Sequence, residues 1–141
     1  MLTPSFKSAI TQGKGYRILR ANVSATLDSY GLTMASWTFL ALLQAHPAMR
    51  MADIASELGV DAPLVTRLVK ELEECEMLST QEHPEDSRAK QLVLTERSQL
   101  LLPQVEIAVQ KNLEPLIKGI TIAELETYFK VLETIIASNG E

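Results

Sequence analysis

The sequence is poor in the residues from which redox, metal and catalytic sites are built. It contains one cysteine, so an intrachain disulfide is excluded. Its two histidines, His46 and His83, lie far apart, and the carboxylates beside His83 are typical of a solvated turn rather than of a metal site. A glycine-rich phosphate loop, a G-x-S-x-G motif and a C-x-x-C motif are all missing. We therefore expect no enzyme activity, no cofactor and no metal.

Long apolar runs and an excess of positive charge are also missing. No run of about 18 or more apolar residues occurs, and residues 1–17 lack the apolar segment of a signal peptide, so we expect a cytoplasmic protein with no membrane partner. The chain carries 13 basic and 18 acidic residues, a net charge of −5. Residues 50–100 alone carry 6 basic and 11 acidic residues. That balance excludes a nonspecific nucleic-acid coat, and any nucleic-acid binding must depend on a few placed cations.

What the central part of the chain does contain is the pattern of a helix-turn-helix. A short helix from Met51 ends at Gly59, and a second begins at Asp61, a plausible N-cap, with Pro63 in its first turn. The buried stripe of the second helix is predicted by helical spacing to be Val65, Leu68, Val69 and Leu72. The opposite face is neutral or basic at its N-terminal end and acidic at its C-terminal end. That polarity suits a helix that enters the DNA major groove by its N-terminus, although an ordinary amphipathic helix with a solvated face is the alternative.

A β-hairpin is predicted to follow the second helix. Residues 77–81 and 91–95 have strand-like composition, and residues 83–88 between them have the composition of a turn. A helix-turn-helix followed by such a wing is typical of nucleic-acid-binding proteins, because an arginine at the tip, here Arg88, can reach a narrow minor groove. The alternative is a solvated loop in which Asp86 and Arg88 pair with each other.

These residues resemble the MarR/SlyA family of winged-helix transcriptional regulators. The resemblance rests on the segments LGVDAPLVTRLVKELEE, PEDSRAK and LVLTE, and it covers about residues 16 to 137. It implies a homodimer that binds a pseudo-palindromic double-stranded DNA site and often releases it when a small, frequently aromatic, molecule binds. The chain departs from the family pattern at three positions: Glu76 and Ser98 stand where glycine is usual, and Thr80 where arginine is often found.

Carried over to this chain, the resemblance implies that residues 62–70 contact the major groove and that Arg88 contacts the minor groove. The predicted DNA-binding residues are Ala62, Pro63, Thr66, Arg67, Lys70, Arg88 and Lys90. Asp86 and Arg88 are expected to form a salt bridge within the wing. Thr80 removes a possible phosphate contact, so we expect a modest affinity for DNA.

Amphipathic helices are predicted on both sides of the winged unit, at residues 5–30 and 96–138. Their apolar stripes exceed what one small core absorbs, so we expect burial against a second copy. The tract 96–118 spans roughly 34 Å at ~1.5 Å per residue, which suits two recognition helices one DNA turn apart. A monomeric helical bundle is the alternative. Within these tracts Pro103 predicts a kink or a restart, and the glycines at 13 and 15 disfavour helix.

The predicted fold is therefore mainly α with a small β-hairpin wing (α+β), in one domain over residues 1–141 with its winged helix-turn-helix at 33–95. Cys75 is predicted to be a small buried hydrophobe. A pocket for a small aromatic ligand is predicted at Tyr16, Leu19, Tyr30, Trp37 and Leu40, for which ordinary core and interface positions are the alternative. The predicted function is a sequence-specific transcriptional regulator. The alternative is a protein-interaction or adaptor module on the same fold that has lost DNA binding, as the acidic balance and Thr80 suggest.

Overall fold

The computed structural model describes residues 5–140, apart from the side chains of Ser87 and Ala89. Within this range the chain forms six helices and one two-stranded antiparallel sheet. The elements in chain order are α1 (Ser5–Asp28), α2 (Met34–Ala45), α3 (Met51–Leu58), α4 (Ala62–Glu74), β1 (Leu78–His83), β2 (Asp86–Leu94), α5 (Glu96–Ile117) and α6 (Ile122–Asn139). This is the predicted class, a mainly α protein whose helix-turn-helix is followed by a β-hairpin wing.

Four of the helices begin at a polar residue that caps the first turn. In each case the side-chain oxygen accepts a hydrogen bond from the backbone N–H three residues later, which satisfies a donor that the helix itself leaves free. These caps are Thr33, Asp61, Thr95 and Thr121. Helix α3 has a weaker start, because Arg50 precedes it and only the carboxylate of Asp53 contributes, accepting from the Arg50 N–H at 3.2 Å.

The core lies between α2, α3, α4, the wing and the first half of α5. The predicted stripe of α4 is buried, and it packs in one cluster with fully buried side chains of α2 and α3 such as Phe39, Leu43 and Ile54. Helix α5 adds Leu102 and Val105 to the same cluster. Burying each of these large apolar side chains contributes about 1.5–3 kcal/mol, so this cluster fixes the orientation of α4.

Two helices continue through residues that disfavour helix. Helix α1 passes through Gly13 and Gly15, and α5 runs without a break through Pro103. For α5 the reason is tertiary: Leu102 and Val105 are buried on either side of the proline, and their packing offsets the lost backbone hydrogen bond. The predicted restart at residue 103 is therefore wrong, and the alternative, a kink at Pro103, stays a prediction.

The hairpin is longer than the sequence predicts. Its turn consists of residues 84–85 alone, and β2 begins at Asp86, so the predicted turn over residues 83–88 is wrong. Glu82 pairs with Lys90, and a register shift follows before His83 pairs with Asp86, so β2 is irregular between Asp86 and Lys90. Arg88 consequently lies within β2, near the tip rather than in the turn.

The outer helices are only partly covered. Helix α1 packs against α5 through its C-terminal half, where Val23 and Leu27 are buried. No residue of α6 is buried, and its side chain at Ile122 is 76% exposed. None of the described helices is long and apolar enough to cross a membrane.

Candidate nucleic-acid interface

The exposed face of α4 carries the helical part of the candidate site. The five side chains predicted on this helix are all exposed: Ala62, Pro63, Thr66, Arg67 and Lys70. They are presented outward because Val65, Leu68, Val69 and Leu72 anchor the opposite face in the core. Thr66 Oγ1 donates to the Ala62 carbonyl at 3.1 Å, which leaves its methyl group and oxygen lone pairs facing solvent.

Charge is distributed unevenly along this helix. Arg67 and Lys70 lie in its N-terminal and middle turns, whereas Glu71, Glu73 and Glu74 follow in its last turns. At the N-terminus Asp61 Oδ1 already accepts the Leu64 N–H at 2.9 Å, so that amide is not free to bind a phosphate. Attraction for a polyanion therefore depends on the two cationic side chains and falls off toward the acidic end.

The wing carries the second part of the candidate site. Arg88 and Lys90 lie on β2 and both are exposed. Asp86 Oδ1 accepts a hydrogen bond from the backbone N–H of Arg88 at 3.0 Å, a contact with the main chain and not the predicted pairing of the two side chains. His83 Nδ1 similarly accepts the Glu85 N–H at 3.2 Å. Hydrogen bonds between these side chains and nearby backbone amides thus stabilise the conformation of the hairpin tip.

The turn that joins α4 to β1 is held by the first residues of α5. Arg97 Nη1 donates to the Cys75 carbonyl at 2.8 Å, and Thr95 Oγ1 donates to the Glu76 carbonyl at 2.7 Å. The hydroxyl of the fully buried Ser98 donates to the Met77 carbonyl. No pattern in the sequence predicts these contacts, since they join residues about twenty positions apart.

Cys75 itself is exposed, which contradicts the prediction of a buried cysteine. It follows α4 directly as the C-cap residue. The buried stripe of α4 ends at Leu72, so the side chain of residue 75 does not point into the core. The usual preference of cysteine for the interior therefore does not apply here. Within the described residues no cluster of three or more His, Cys, Asp or Glu side chains has the geometry of a metal site.

The residues predicted to line a ligand pocket are spread over α1, the turn after it and α2, and they differ in burial. Leu40 has no exposed surface and belongs to the core, so its assignment to a pocket is wrong. Tyr16 is 57% exposed, and its hydroxyl accepts a hydrogen bond from Arg20 Nη1 at 2.8 Å. Tyr30 lies two residues beyond the end of α1, and the helix between Tyr16 and Asp28 alone rises roughly 18 Å at ~1.5 Å per residue, too far for one small molecule to span. Leu19, Tyr30 and Trp37 are half-buried.

Tyr30 does border two clefts. One, of about 370 Å³, lies between α1 and α5 and is lined by polar groups that include Asn22 and Asn112. The other, of about 210 Å³, lies beside the C-terminal end of α4 and has apolar walls formed by residues such as Leu72 and Leu101. The second cleft is large enough for a small ring and adjoins the turn held by α5.

Comparison with known proteins gives one match to the central part of the chain and further matches to nearly its whole length. Residues 30–89, which include α2, α3, α4 and most of the wing, match the sequence model of the MarR family. This segment of the chain is therefore similar to the MarR family. Solved structures that match nearly the whole chain show that the flanking helices belong to the same fold.

Three solved structures illustrate that match. AbsC of Streptomyces coelicolor is 22% identical, with a TM-score of 0.85 over 100% of this chain and 99% of its own. CouR of Rhodococcus jostii RHA1, solved with p-coumaroyl-CoA, is 22% identical, with a TM-score of 0.80 over 93% of this chain and 91% of its own. A MarR variant from E. coli, solved with operator DNA, is 20% identical, with a TM-score of 0.76 over 94% and 99% of the two chains.

Proposed function

We propose that the protein is a sequence-specific DNA-binding transcriptional regulator. The observation that carries the proposal is the outward display of Thr66, Arg67 and Lys70 on the helix whose other face is locked in the core. In the proposal this face contacts base edges and phosphates of the major groove, while Arg88 and Lys90 of the wing contact the adjacent minor groove and backbone. The MarR variant solved with operator DNA supports this use of the fold.

The acidic balance of the chain determines what kind of binding is expected. With a net charge of −5, attraction for arbitrary duplex DNA is weak, and specific contacts must supply most of the affinity. Each good base contact is worth about 1–3 kcal/mol of discrimination. We therefore expect a large ratio of specific to nonspecific affinity and a steep loss of binding with added salt.

In the proposal the active species is a homodimer on a pseudo-palindromic operator. The support is the apolar surface that the flanking helices leave exposed. On α6 this surface comprises Ile122, Tyr128, Phe129, Val131, Ile135 and Ile136, and further apolar side chains are exposed on α1 and α5. Contiguous apolar surface of this extent is rare on monomers and is typical of interfaces. A two-fold pair also presents two copies of α4 to successive turns of DNA.

The proposal includes release of the DNA by a small aromatic ligand. The support is the cleft beside the end of α4, where Tyr30, Leu72 and Leu101 provide apolar walls and Arg97 a cation. CouR, solved with p-coumaroyl-CoA, shows that a protein of this fold accommodates an aromatic acyl group. Titration with small aromatic acids, followed by calorimetry and by release of bound DNA, tests this part; a broad panel that gives neither heat nor release contradicts it.

The central experiment is selection of bound fragments from genomic DNA at defined salt, followed by titration of the selected site with variants. Arg67→Ala and Arg88→Ala are expected to lower the affinity for that site by about 1–3 kcal/mol each. Arg17→Ala is the matched control, because it removes an exposed arginine from α1, outside the winged unit. A chain that selects no fragment and shows no saturable binding contradicts the proposal and favours an adaptor module.

A further inference from the structure

The turn between α4 and β1 contains an unusual backbone conformation. Glu76 has φ +58°, and among the described residues it is the one non-glycine residue with positive φ. It occupies the position just beyond the helix C-cap: its N–H donates to the Glu73 carbonyl at 3.0 Å, and the Met77 N–H donates to the Leu72 carbonyl at 2.9 Å. This closing motif usually takes glycine at the left-handed position, because a Cβ is disfavoured there. The turn therefore needs support from elsewhere.

The support comes from one turn of α5. Three successive carbonyls, those of residues 75, 76 and 77, accept hydrogen bonds from the side chains of Arg97, Thr95 and Ser98 respectively. The backbone N–H of Thr95 also donates to the Met77 carbonyl, at 3.4 Å. Together these bonds fix the carbonyls on both sides of Glu76, and so they hold its left-handed conformation. We call this set of contacts the turn clamp.

We infer that the turn clamp positions the wing relative to α4 for DNA binding, with Ser98 as its principal residue. The inference rests on the proposed function. Residues 75–77 are the whole connection between the helix and β1, so their backbone angles set the direction in which the wing leaves. The exposed face of α4 and the wing must contact the same DNA duplex. Because Arg88 lies at the far end of the hairpin, a small rotation at this turn displaces Arg88 several times farther than it displaces the residues beside the turn.

Ser98 is the member best placed to act in this way without touching DNA. It has no exposed surface, whereas Arg97 is exposed and carries a charge of its own. Removal of the Ser98 hydroxyl leaves the Met77 carbonyl with only the long contact from Thr95. The effect should depend on residue 76: with glycine there, the left-handed conformation no longer needs the clamp, and loss of the hydroxyl should matter less.

The test is a double-mutant cycle with Ser98→Ala and Glu76→Gly, in the full chain and on the selected DNA site. Ser98→Ala is expected to weaken binding about tenfold, and only about threefold or less when glycine is present at 76. The slope of affinity against salt should stay unchanged, because the loosened wing still makes the same phosphate contacts once it is bound and the loss is the cost of ordering the turn, whereas a lost phosphate contact lowers the slope by about 0.9. Glu76→Gln is the control for charge, since it keeps the Cβ, and in that background Ser98→Ala should again cost about tenfold.

Hydrogen exchange on the free protein provides a readout that does not depend on DNA. Ser98→Ala should accelerate exchange at Met77 and along β1 while leaving α3 protected. Arg97→Gln, at an exposed position, serves as a second variant and should loosen the same amides. The inference is overturned if the parent binds DNA and Ser98→Ala binds equally well, if the salt slope changes by a full contact, or if wing exchange is unaltered. Failure of the parent to bind any DNA is a separate result, which overturns the proposed function and with it the positioning role.

Discussion

Thr80 on the first wing strand donates a hydrogen bond to Glu73 on α4, with 3.4 Å between Oγ1 and Oε2. This contact joins the base of the wing to the acidic end of the recognition helix. It is also the position at which the sequence departs from the family by lacking an arginine. A carboxylate so close to the proposed DNA-binding surface repels phosphates, and a neutral hydroxyl group cannot neutralise its charge.

Thr80→Arg is therefore expected to increase DNA affinity. The guanidinium can pair with Glu73 and add one cation beside the backbone, so we expect roughly a three- to tenfold gain at low salt and a salt slope steeper by up to about 0.9. Fluorescence anisotropy at several salt concentrations measures both. Thr80→Gln, which extends the side chain without charge, is the control and should change little. An equal gain from both variants contradicts the electrostatic explanation.

Asp61 provides a second test, because it caps the helix that is proposed to contact the bases. Asp61→Ala removes the acceptor of the Leu64 N–H and should lower the free energy of unfolding by about 1 kcal/mol. Asp61→Asn keeps the cap and removes a negative charge near the proposed DNA surface, so stability should be retained and DNA affinity should rise slightly. Urea unfolding and DNA titration separate the two effects. Equal destabilisation by both variants contradicts the capping role.

Much of the fold follows from short-range patterns in the sequence. The four apolar positions of α4 repeat at helical spacing, and Asp61 directly precedes that amphipathic segment as an N-cap residue. These signals are local, and the structure confirms them. The exposed placement of Arg67 and Lys70 follows from the same periodicity.

The features that the sequence does not predict depend on contacts between distant residues. Helix α5 continues through Pro103 because Leu102 and Val105 meet a core built largely from other elements. The wing extends to a two-residue turn because His83 pairs with Asp86 beyond a register shift, which composition does not mark. Cys75 is exposed because α4 ends there, which composition alone does not reveal. The contacts from α5 to the turn at Glu76 belong to the same class, since each joins residues about twenty positions apart.

The exposed stripe of α6 predicts a variant that separates the proposed dimer. Phe129 is 55% exposed in the single chain, and burial of such a side chain at an interface contributes about 1.5–3 kcal/mol in each copy. Phe129→Glu should reduce the mass measured by light scattering from twice 15.6 kDa to 15.6 kDa at micromolar concentration.

Lys130→Glu is the matched control for this variant. It introduces the same carboxylate on the same helix, but helical spacing places residue 130 about 100° around the axis from residue 129, off the apolar stripe. The control should keep the higher mass. A parent protein that already scatters as a 15.6 kDa particle contradicts the proposed dimer and favours a monomeric bundle.

The start of α6 predicts a pH dependence of stability. Glu124 accepts the backbone N–H of Thr121 at 2.9 Å, while Thr121 Oγ1 accepts the Glu124 N–H at 3.1 Å. The bond to the Thr121 backbone, and then that to its side chain, holds the pKa of the Glu124 carboxyl below its usual value of 4.5. A carboxyl whose pKa is lowered by folding stabilises the folded state above its unfolded pKa, and this contribution is lost as the pH falls through the folded pKa.

The difference in unfolding free energy between the parent and Glu124→Ala should accordingly be full at neutral pH and shrink below about pH 4.5. Glu124→Gln can form the same capping box but does not titrate, so its difference from Glu124→Ala should stay constant. A parent-to-alanine difference that is unchanged between neutral and acidic pH would show that the ionised carboxylate does not stabilise the start of α6.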